Sequence, residues 1–361
     1  MVLNMTNEQL NKITSQPIFF ERNRVARVYT GGKLFGDFFG DDGTDGYLPE
    51  EWIASAVRAI NKGGTNPKEG ISKIRGTDVY FDDLLVSHKT ELIGQRESLD
   101  VLIKMLDSAE RLPVQAHPDK AFSRKHFNSN FGKAESWTVV GVREGAKIYH
   151  GFSRKVSPEE FEAAIQMSLD KADGFSPFLN EVEVAPGDCF YIPANTIHAI
   201  GPGCLILEVM EPTDFTISPE YWCGDYRLSD EEMYLGLDKD TAISVFNFDS
   251  YGGEALEANR LWPAITEQNG NTTRENIVGP HITDCFSLNR ITIKGVIAML
   301  KAAPAIYVVT DGKGMLQGEN YSKSLKKGDY FFLPVKANKR FSIVADDMEI
   351  YECQPPAAKT T

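Results

Sequence analysis

The sequence has few cysteines and no long apolar run, and each shortage excludes a class of protein. The five cysteines among 361 residues are widely scattered and include no CxxC pair. Such a set predicts neither a disulfide framework nor a thiolate zinc site, so we expect reduced, buried thiols. No segment is apolar for ~18 residues, and Met1–Gln16 is polar, which argues against a membrane span and a signal peptide. We predict a cytoplasmic location.

An excess of positive charge is also lacking. The chain has 38 Lys and Arg against 51 Asp and Glu, a net charge of -13, and the acidic residues are spread along its length. This balance argues against nucleic acid or an anionic membrane as a partner, and an anionic substrate would need a local cationic pocket. With 42% hydrophobic and 25% charged residues, the chain has a globular composition and is long enough for two cores.

A weak internal repeat is the most informative pattern in the sequence. Glu183–Pro193 matches Ser324–Pro334 position by position, and in each copy a Gly-Asp turn opens a short strand that a proline closes. Upstream, each copy has a strand followed by a glycine turn, at Trp137–Val140 and Ile306–Val309. Short strands between such turns predict a mainly β protein with two jelly-roll barrels.

Helices are predicted to interrupt the barrels. Capping boxes begin at Ser157 and Ser229, and we expect the second helix to extend to about Phe246. Tyr80–Ile93 has a helical pattern, whereas Leu99–Met105 alternates like a strand with one buried face.

These patterns divide the chain into three parts. We predict a first barrel with helical insertions over residues 1–227 and a helical connector over residues 228–254. The second barrel covers residues 255–361. Exposed barrel edges allow either a monomer or a homodimer.

Four side chains from separate segments of the first barrel are candidate metal ligands. Gln115 and His117 are two residues apart, so in a strand both point to one face. Glu135 lies at the start of a predicted strand, and His198 follows the strand that ends at a proline. Imidazole, carboxylate and amide oxygen together suit zinc, or another divalent metal, with an open coordination position.

The repeat helps to decide whether these histidines are ligands or hydrogen-bonded structural residues. By sequence spacing, the second copy has Lys339 where the first has His198, and Pro304 where the first has Glu135. Two equivalent barrels that differ at the candidate ligands indicate one functional and one degenerate site. The remaining histidines have no partner at a useful spacing and are interpreted as surface or core residues: His88, His126, His150 and His281.

The three ligand-bearing segments resemble the signature segments of type I mannose-6-phosphate isomerases. That family has QxHPD, GKxE and P-A-x-T-x-H-A-x-G segments, matched here by Gln115–Asp119, Gly132–Glu135 and Pro193–Gly201. Tyr29–Leu34 and Glu51–Ser55 resemble two further motifs, WGG-x-x-L and E-x-W-x-x-S. The likeness follows the chain in order and includes the second barrel.

The resemblance implies a cupin fold in which only the first barrel binds a metal. It implies that Gln115, His117, Glu135 and His198 bind one Zn²⁺ per chain. The substrate would be a small sugar phosphate, and the reaction would interconvert mannose 6-phosphate and fructose 6-phosphate by proton transfer through an enediol.

The resemblance also implies residues on the substrate side of the site. Lys133 would be catalytic and bind substrate, as a base in its uncharged form or as an orienting cation. Asp119, Trp52 and Ser55 would contact the substrate, although Asp119 is equally well placed to cap a helix at Lys120–Phe127.

This sequence departs from the family pattern at three positions. Ser218 stands where the family has an arginine, and we predict that Arg227 replaces that cation in catalysis. Pro113 replaces a serine, and Met210 replaces a glutamine. These departures make the substrate less certain than the fold.

Three alternatives stay open at this point. The same fold and metal could act on a different sugar or sugar phosphate, or the protein could be a sugar-binding cupin without catalysis. A cupin dioxygenase is disfavoured because only two histidines and one glutamate converge, with an amide as the fourth group.

Overall fold

The computed structural model describes residues 6–357, except for the side chains of Asn7, Val296 and Ile297. The α-helices are α1 (Asn7–Thr14), α2 (Lys33–Phe39), α3 (Phe81–Ser87), α4 (Lys89–Ile93), α5 (Lys120–Phe127), α6 (Pro158–Leu169), α7 (Asp230–Tyr234), α8 (Lys239–Ile243) and α9 (Gly252–Asn259). The strands are β1 (Ile18–Phe19), β2 (Arg24–Val25), β3 (Glu50–Ile53), β4 (Leu102–Asp107), β5 (Glu135–Val142), β6 (Lys147–Phe152), β7 (Leu179–Glu183), β8 (Cys189–Ile192), β9 (His198–Ile200), β10 (Cys204–Met210), β11 (Trp222–Cys223), β12 (Tyr226–Arg227), β13 (Arg260–Leu261), β14 (Ala264–Asn269), β15 (Thr272–Val278), β16 (Ser287–Ile293), β17 (Val296–Met299), β18 (Ala305–Gly318), β19 (Tyr321–Lys326), β20 (Tyr330–Leu333) and β21 (Phe341–Gln354).

Two large antiparallel sheets organise the molecule, and the predicted mainly β fold is confirmed. The first large sheet has the order β13-β8-β5-β10-β4-β3-β2, and a smaller sheet, β7-β6-β9, belongs to the same part of the chain. The second large sheet has the order β1-β20-β18-β21-β16-β15-β14, with β17 on β21 and β19 on β18. The closure of these sheets into two separate barrels stays a prediction.

Strand exchange and a buried hydrogen bond connect the two large sheets. The amino-terminal strand β1 pairs with β20 of the second sheet, and β13 pairs with β8 of the first. The buried carboxylate of Glu51 on β3 accepts a hydrogen bond from Tyr330 on β20 and forms an ion pair with Arg24 at 3.0 Å. These pairings cross the predicted boundaries at residues 227 and 254, and that domain division stays a prediction.

The internal repeat has a structural counterpart in matching turns. Gly187 and Gly328 have φ angles of +98° and +83°, a left-handed backbone that glycine adopts without strain. Asp188 and Asp329 each accept a hydrogen bond from a backbone N–H three residues earlier, at 2.9 Å in both copies. The same turn therefore introduces β8 and β20.

The strand pairing corrects the alignment of the repeat by one residue. Glu135 pairs with Ile192 in the first sheet, and Ala305 pairs with Leu333 in the second. Because Ile192 and Leu333 are equivalent in the repeat, the counterpart of Glu135 is Ala305. The prediction of Pro304 at this position was wrong, because the valine pairs of the two strands match in one alignment and the hydrogen-bonded pairing has another.

The predicted helix after Ser229 is broken into two short helices. The capping box forms, with Glu232 donating its backbone N–H to the Ser229 hydroxyl, but α7 ends after Tyr234. Leu235 and Gly236 have φ angles of +53° and +79°, which an α-helix cannot contain. The expected continuous helix to Phe246 was therefore wrong.

Other local predictions agree with the structure more closely. The capping box at Ser157 forms and opens α6. The helical segment Tyr80–Ile93 is divided at His88 into α3 and α4, and the strand predicted at Leu99–Met105 is β4, displaced toward Asp107. All five cysteines are buried and free. Among residues 6–357, none of the helices has the length and hydropathy to span a bilayer.

Candidate active site

A short antiparallel bridge brings the predicted metal ligands together. The backbone N–H of Gln115 donates to the carbonyl of His198, and the N–H of His198 donates to the carbonyl of Gln115, both at 2.9 Å. His117 lies two residues beyond Gln115, and Glu135 begins strand β5. Segments distant in the sequence therefore contribute to one cluster.

The cluster formed by His117, Glu135 and His198 is compact and almost fully buried. The distance from His117 Nε2 to Glu135 Oε1 is 3.0 Å, and from His117 Nε2 to His198 Nε2 it is 3.2 Å. Glu135 Oε2 lies 3.9 Å from His198 Nε2. Candidate ligand atoms of the three residues lie within 4.8 Å of one another.

Gln115 lies beside this cluster. Its amide nitrogen is 3.4 Å from Nε2 of His198. The nitrogen and oxygen of a glutamine amide are interchangeable by a half turn of the terminal group, so the same side chain can present its oxygen to a metal.

Backbone carbonyls orient both imidazole rings. Nδ1 of His117 donates to the carbonyl of Phe215 at 2.9 Å, and Nδ1 of His198 donates to the carbonyl of Thr196 at 2.8 Å. When Nδ1 carries the proton, the lone pair belongs to Nε2, the atom that both histidines direct into the cluster. This is the arrangement that metal-binding histidines require.

Burial and charge give the cluster the protonation states that a metal needs. Burial lowers the pKa of His117 and lowers that of His198 well below its ordinary value, so both rings are neutral at pH 7. Burial alone would raise the pKa of Glu135, but Lys133 and then His117 hold it well below its ordinary range. The donor set is therefore two neutral imidazoles and one carboxylate.

These residues fit a divalent metal. Among the described residues, Glu135 Oε1 accepts no well-aligned hydrogen bond, although it is buried and close to two nitrogen atoms. Two imidazoles, a carboxylate and an adjacent amide form a donor set with room for a further ligand, typical of catalytic rather than closed structural sites.

The structure also brings Lys133 to the cluster. Its ammonium lies 2.6 Å from Glu135 Oε1 and 2.8 Å from His117 Nε2, and the residue is 3% exposed. Lys133 lines a cavity of about 370 Å³ that Gln115, Pro113 and Ser218 also line. The cavity therefore reaches the cluster, and it has the size of a small-molecule site.

The cavity wall contains charged residues that the sequence patterns did not identify. These are Arg27, Glu50, Lys104, Glu208 and Asp214. Lys104 and Glu208 face each other across β4 and β10, with their charged atoms 3.5 Å apart. The sequence offers one indication of this pair. Lys104 and Glu208 each lie inside an otherwise apolar segment, and a buried charge is unusual unless it is paired or functional.

No protein-family model matches the chain. Mannose-6-phosphate isomerase of Streptococcus mutans is 30% identical over 324 residues, which cover 89% of this chain and 93% of that protein. Mannose-6-phosphate isomerase ManA of Bacillus subtilis is 28% identical over 333 residues, covering 89% and 94%. The chain belongs to the mannose-6-phosphate isomerase family. The prediction of an isomerase of this family is thereby confirmed.

Solved structures of the family have the same fold. The crystal structure of mannose 6-phosphate isomerase from Bacillus subtilis has a TM-score of 0.74 at 23% identity, covering 94% of this chain and 99% of that one. A putative mannosephosphate isomerase from Archaeoglobus fulgidus has a TM-score of 0.71 at 19% identity, covering 94% and 98%. At these identities the likeness concerns the fold.

In this member of the family, Trp137 connects the cluster of His117, Glu135 and His198 to the cavity wall. Its indole N–H lies 3.2 Å from Glu135 Oε2 and 3.0 Å from Glu208 Oε1. Burial, and then the charge of Glu135, raises the pKa of Glu208 to about 7. Glu208 is therefore a cavity carboxyl that exchanges its proton near neutral pH.

The three other residues that the resemblance assigns to the substrate have contacts within the protein, and their substrate role stays a prediction. Trp52 is fully buried, and its indole donates to Glu50 at 2.6 Å. Asp119 caps helix α5 by accepting the backbone N–H of Phe122 at 2.7 Å. Ser55 is buried and bonds to the backbone of its own turn.

Arg227 is not brought to the metal cluster. It is exposed on β12, and its guanidinium lies 5.4 Å from the ring centroid of Tyr221. Ser218, at the position of the family's arginine, lines the cavity and is buried. Among the described residues, the cations at the cavity are Arg27, Lys62, Lys104 and Lys133, and Arg227 does not line it.

Proposed function

We propose that this protein interconverts mannose 6-phosphate and fructose 6-phosphate, with one zinc ion per chain bound by Gln115, His117, Glu135 and His198. The observation that carries the proposal is the buried His-Glu-His cluster at a cavity, with Lys133 against it. Membership of the family supports the choice of substrate.

Conversion of the aldose to the ketose moves one proton from C2 to C1 and one from the C2 hydroxyl to the C1 oxygen, and an enediol is the simplest intermediate. Negative charge then develops on the oxygens of both carbons. A bound divalent metal stabilises such charge as a Lewis acid, which lowers a barrier by several kcal/mol. By the general affinity order of divalent metals, zinc would bind these nitrogen and oxygen donors more tightly than manganese or iron.

Glu208 is our candidate for the group that carries the proton. A pKa of about 7 lets this carboxyl both accept and release a proton at neutral pH. Positioned acid–base groups of this kind contribute ~100- to 10,000-fold in rate. Trp137 donates to both Glu208 and Glu135, which fixes the position of the proton carrier relative to a metal ligand.

Lys133 is our candidate for the cation that orients the substrate. Its contacts with Glu135 and His117 hold the ammonium at the inner end of the cavity. An ammonium there can donate to the oxygen of C1 or C2 and stabilise it as it becomes negative. Arg227 has no assigned role in this scheme, because it is exposed away from the cavity.

A second candidate function rests on the departures at the cavity. Pro113 and Ser218 line the cavity. Pro113 cannot provide the hydroxyl that the family has at its position, and Ser218 cannot provide the cation that the family has at its position. The same chemistry could therefore act on a different sugar or sugar phosphate, or the protein could bind a sugar without converting it.

A coupled isomerisation assay tests these proposals. Purified protein is assayed with mannose 6-phosphate and with unphosphorylated mannose, before and after chelation and after zinc is restored. We expect turnover of mannose 6-phosphate that chelation abolishes and zinc restores. Preference for unphosphorylated mannose would favour the second candidate, and no turnover of mannose 6-phosphate by protein with stoichiometric zinc would contradict the first.

A further inference from the structure

A sugar phosphate brings a dianion into a cavity whose net charge is not positive. Arg27, Lys62, Lys104 and Lys133 line the cavity, but so do five carboxylic acids. These are Glu50, Glu208, Asp214, Glu231 and Glu232. On the proposed function, one of the four cations must bind the phosphate of the substrate.

Two of the four cations are already surrounded by buried carboxylates. Arg27 forms ion pairs with Glu50 at 3.1 Å and with Asp214 at 2.9 Å, and it donates to Asn61 at 3.1 Å. Lys104 lies within 4 Å of Glu50, Glu208 and Asp214. Buried carboxylates therefore compensate the charges of both cations.

The third cation belongs to the metal cluster. Lys133 contacts Glu135 and His117 at the inner end of the cavity, where C1 and C2 must react. In mannose 6-phosphate the phosphate is at the opposite end of the molecule. A phosphate-binding cation should therefore lie away from Lys133.

Lys62 differs from the other three cations. Its side chain is 51% exposed, and its partner is Glu232 at 3.3 Å, whose side chain is 14% exposed. Ile60 and Glu231, which also line the cavity, are exposed as well. This group of residues forms the mouth of the cavity.

The loop that carries Lys62 is attached to the charged wall of the cavity. The backbone N–H of Ile60 donates to Asp214 at 2.8 Å, and the amide oxygen of Asn61 accepts from Arg27. The two residues immediately before Lys62 are thus fixed, while its own side chain is free to exchange partners. A long side chain on a fixed backbone suits the capture of an anion.

We propose that Lys62 binds the phosphate of the substrate at the mouth of the cavity and releases Glu232 when it does so. An exposed ion pair is weak, so exchanging one carboxylate for a dianionic phosphate is favourable. Lys62 thereby selects phosphorylated sugars and places C1 and C2 at the inner end. In the absence of substrate, the carboxylate of Glu232 occupies the position at Lys62 that the phosphate would take.

Two substitutions that break the same ion pair separate this role from a structural one. Lys62→Ala removes the phosphate ligand, so the KM for mannose 6-phosphate should rise roughly tenfold to a hundredfold with little change in kcat. Glu232→Gln removes the competing carboxylate, so the KM should fall. Glutamine at this position preserves the capping box with Ser229, so α7 keeps its start.

The controls separate failure of this inference from failure of the proposed function. Chelator-sensitive turnover by the wild-type enzyme tests the proposed function, and the ratio of KM values between variants tests Lys62. Lys62→Arg should restore most of the affinity. If no variant turns over, calorimetric binding of inorganic phosphate to the zinc-loaded protein gives the same comparison. Equal KM for the wild type and Lys62→Ala, or a parallel rise in both variants, would overturn the assignment.

Discussion

The two large sheets place a buried glutamate at matching positions and surround it differently. Glu208 in the first sheet pairs with Trp137 on one side and Lys104 on the other. Glu352 in the second sheet pairs with Tyr307 and Asn289. The aromatic side chain donates to the glutamate in both, at 3.0 Å from Trp137 and 2.8 Å from Tyr307.

The two carboxylates differ in how many hydrogen-bond donors and cations contact them. Glu352 is bound by both terminal nitrogens of Arg274 and accepts further hydrogen bonds from Asn289 at 3.1 Å and Gln354 at 2.7 Å. Among the described residues, Trp137 is the one hydrogen-bond donor to Glu208, which lies 3.5 Å from Lys104 and lines the cavity. One scaffold position thus holds a closed structural network in one sheet and a group able to titrate in the other.

The largest effect should come from the cluster of His117, Glu135 and His198. Among the described residues, the second sheet has no such group. His117→Ala removes a ligand and should lower turnover more than a thousandfold, because the metal site is lost with it. Lys339→Ala, at the counterpart of His198 by sequence spacing, should leave turnover unchanged. Turnover and zinc content of both variants check this, and a metal-loaded, active His117→Ala would contradict it.

The next effect should distinguish the two glutamates by stability. Glu352→Ala leaves the buried side of Arg274 without its carboxylate and should cost about 3 kcal/mol in the free energy of unfolding. Turnover per folded molecule should stay close to the wild-type value, since this network is remote from the cavity. Denaturant unfolding and a rate assay measure the two quantities, and loss of turnover without loss of stability would break the comparison.

A smaller effect should appear in the pH dependence of stability. The folded pKa of Glu208, about 7, is raised above its ordinary value of 4.5, so the folded state holds a proton that the unfolded state releases. Stability should therefore fall as pH rises from about 4.5 to 7. Between pH 5.5 and 8 the wild type should lose about 2 kcal/mol that Glu208→Gln does not lose. Parallel stability curves for the two proteins would contradict the shifted pKa.

The smallest effect concerns the contact between the sheets. Tyr330→Phe removes the hydroxyl that donates to buried Glu51 and should cost about 1–2 kcal/mol. Glu51 precedes Trp52 on β3, the strand that also carries Glu50 into the cavity wall. Thermal unfolding measures this loss of stability, and Tyr321→Phe on strand β19, which precedes β20 in the chain, is the control. Equal stability losses in the two variants would remove the special role of this contact.

The sequence predicted the parts of the site that lie in contiguous motifs. Gln115, His117, Lys133, Glu135 and His198 all belong to short signatures, and the structure gathers them at one place. The repeat of Gly-Asp turns likewise predicted the matching strands, because a left-handed glycine and a capping aspartate are local requirements.

The remaining features depend on contacts between distant segments. Lys104 meets Glu208 only because β4 and β10 pair in one register, and no local pattern specifies that pairing. Arg27 joins Asp214 across a separation of 187 residues. The predicted catalytic role of Arg227 rests on its proximity in sequence to Ser218, but β12 places Arg227 at an exposed surface.

We propose that one metal binds each chain, at His117, Glu135 and His198 in the first sheet. Anomalous diffraction at the zinc absorption edge from crystals of zinc-loaded protein tests it most directly. We expect one strong peak per chain, about 2.0–2.2 Å from Nε2 of both histidines and an oxygen of Glu135. No peak at this cluster in active protein, or the main peak in the second sheet, would contradict it.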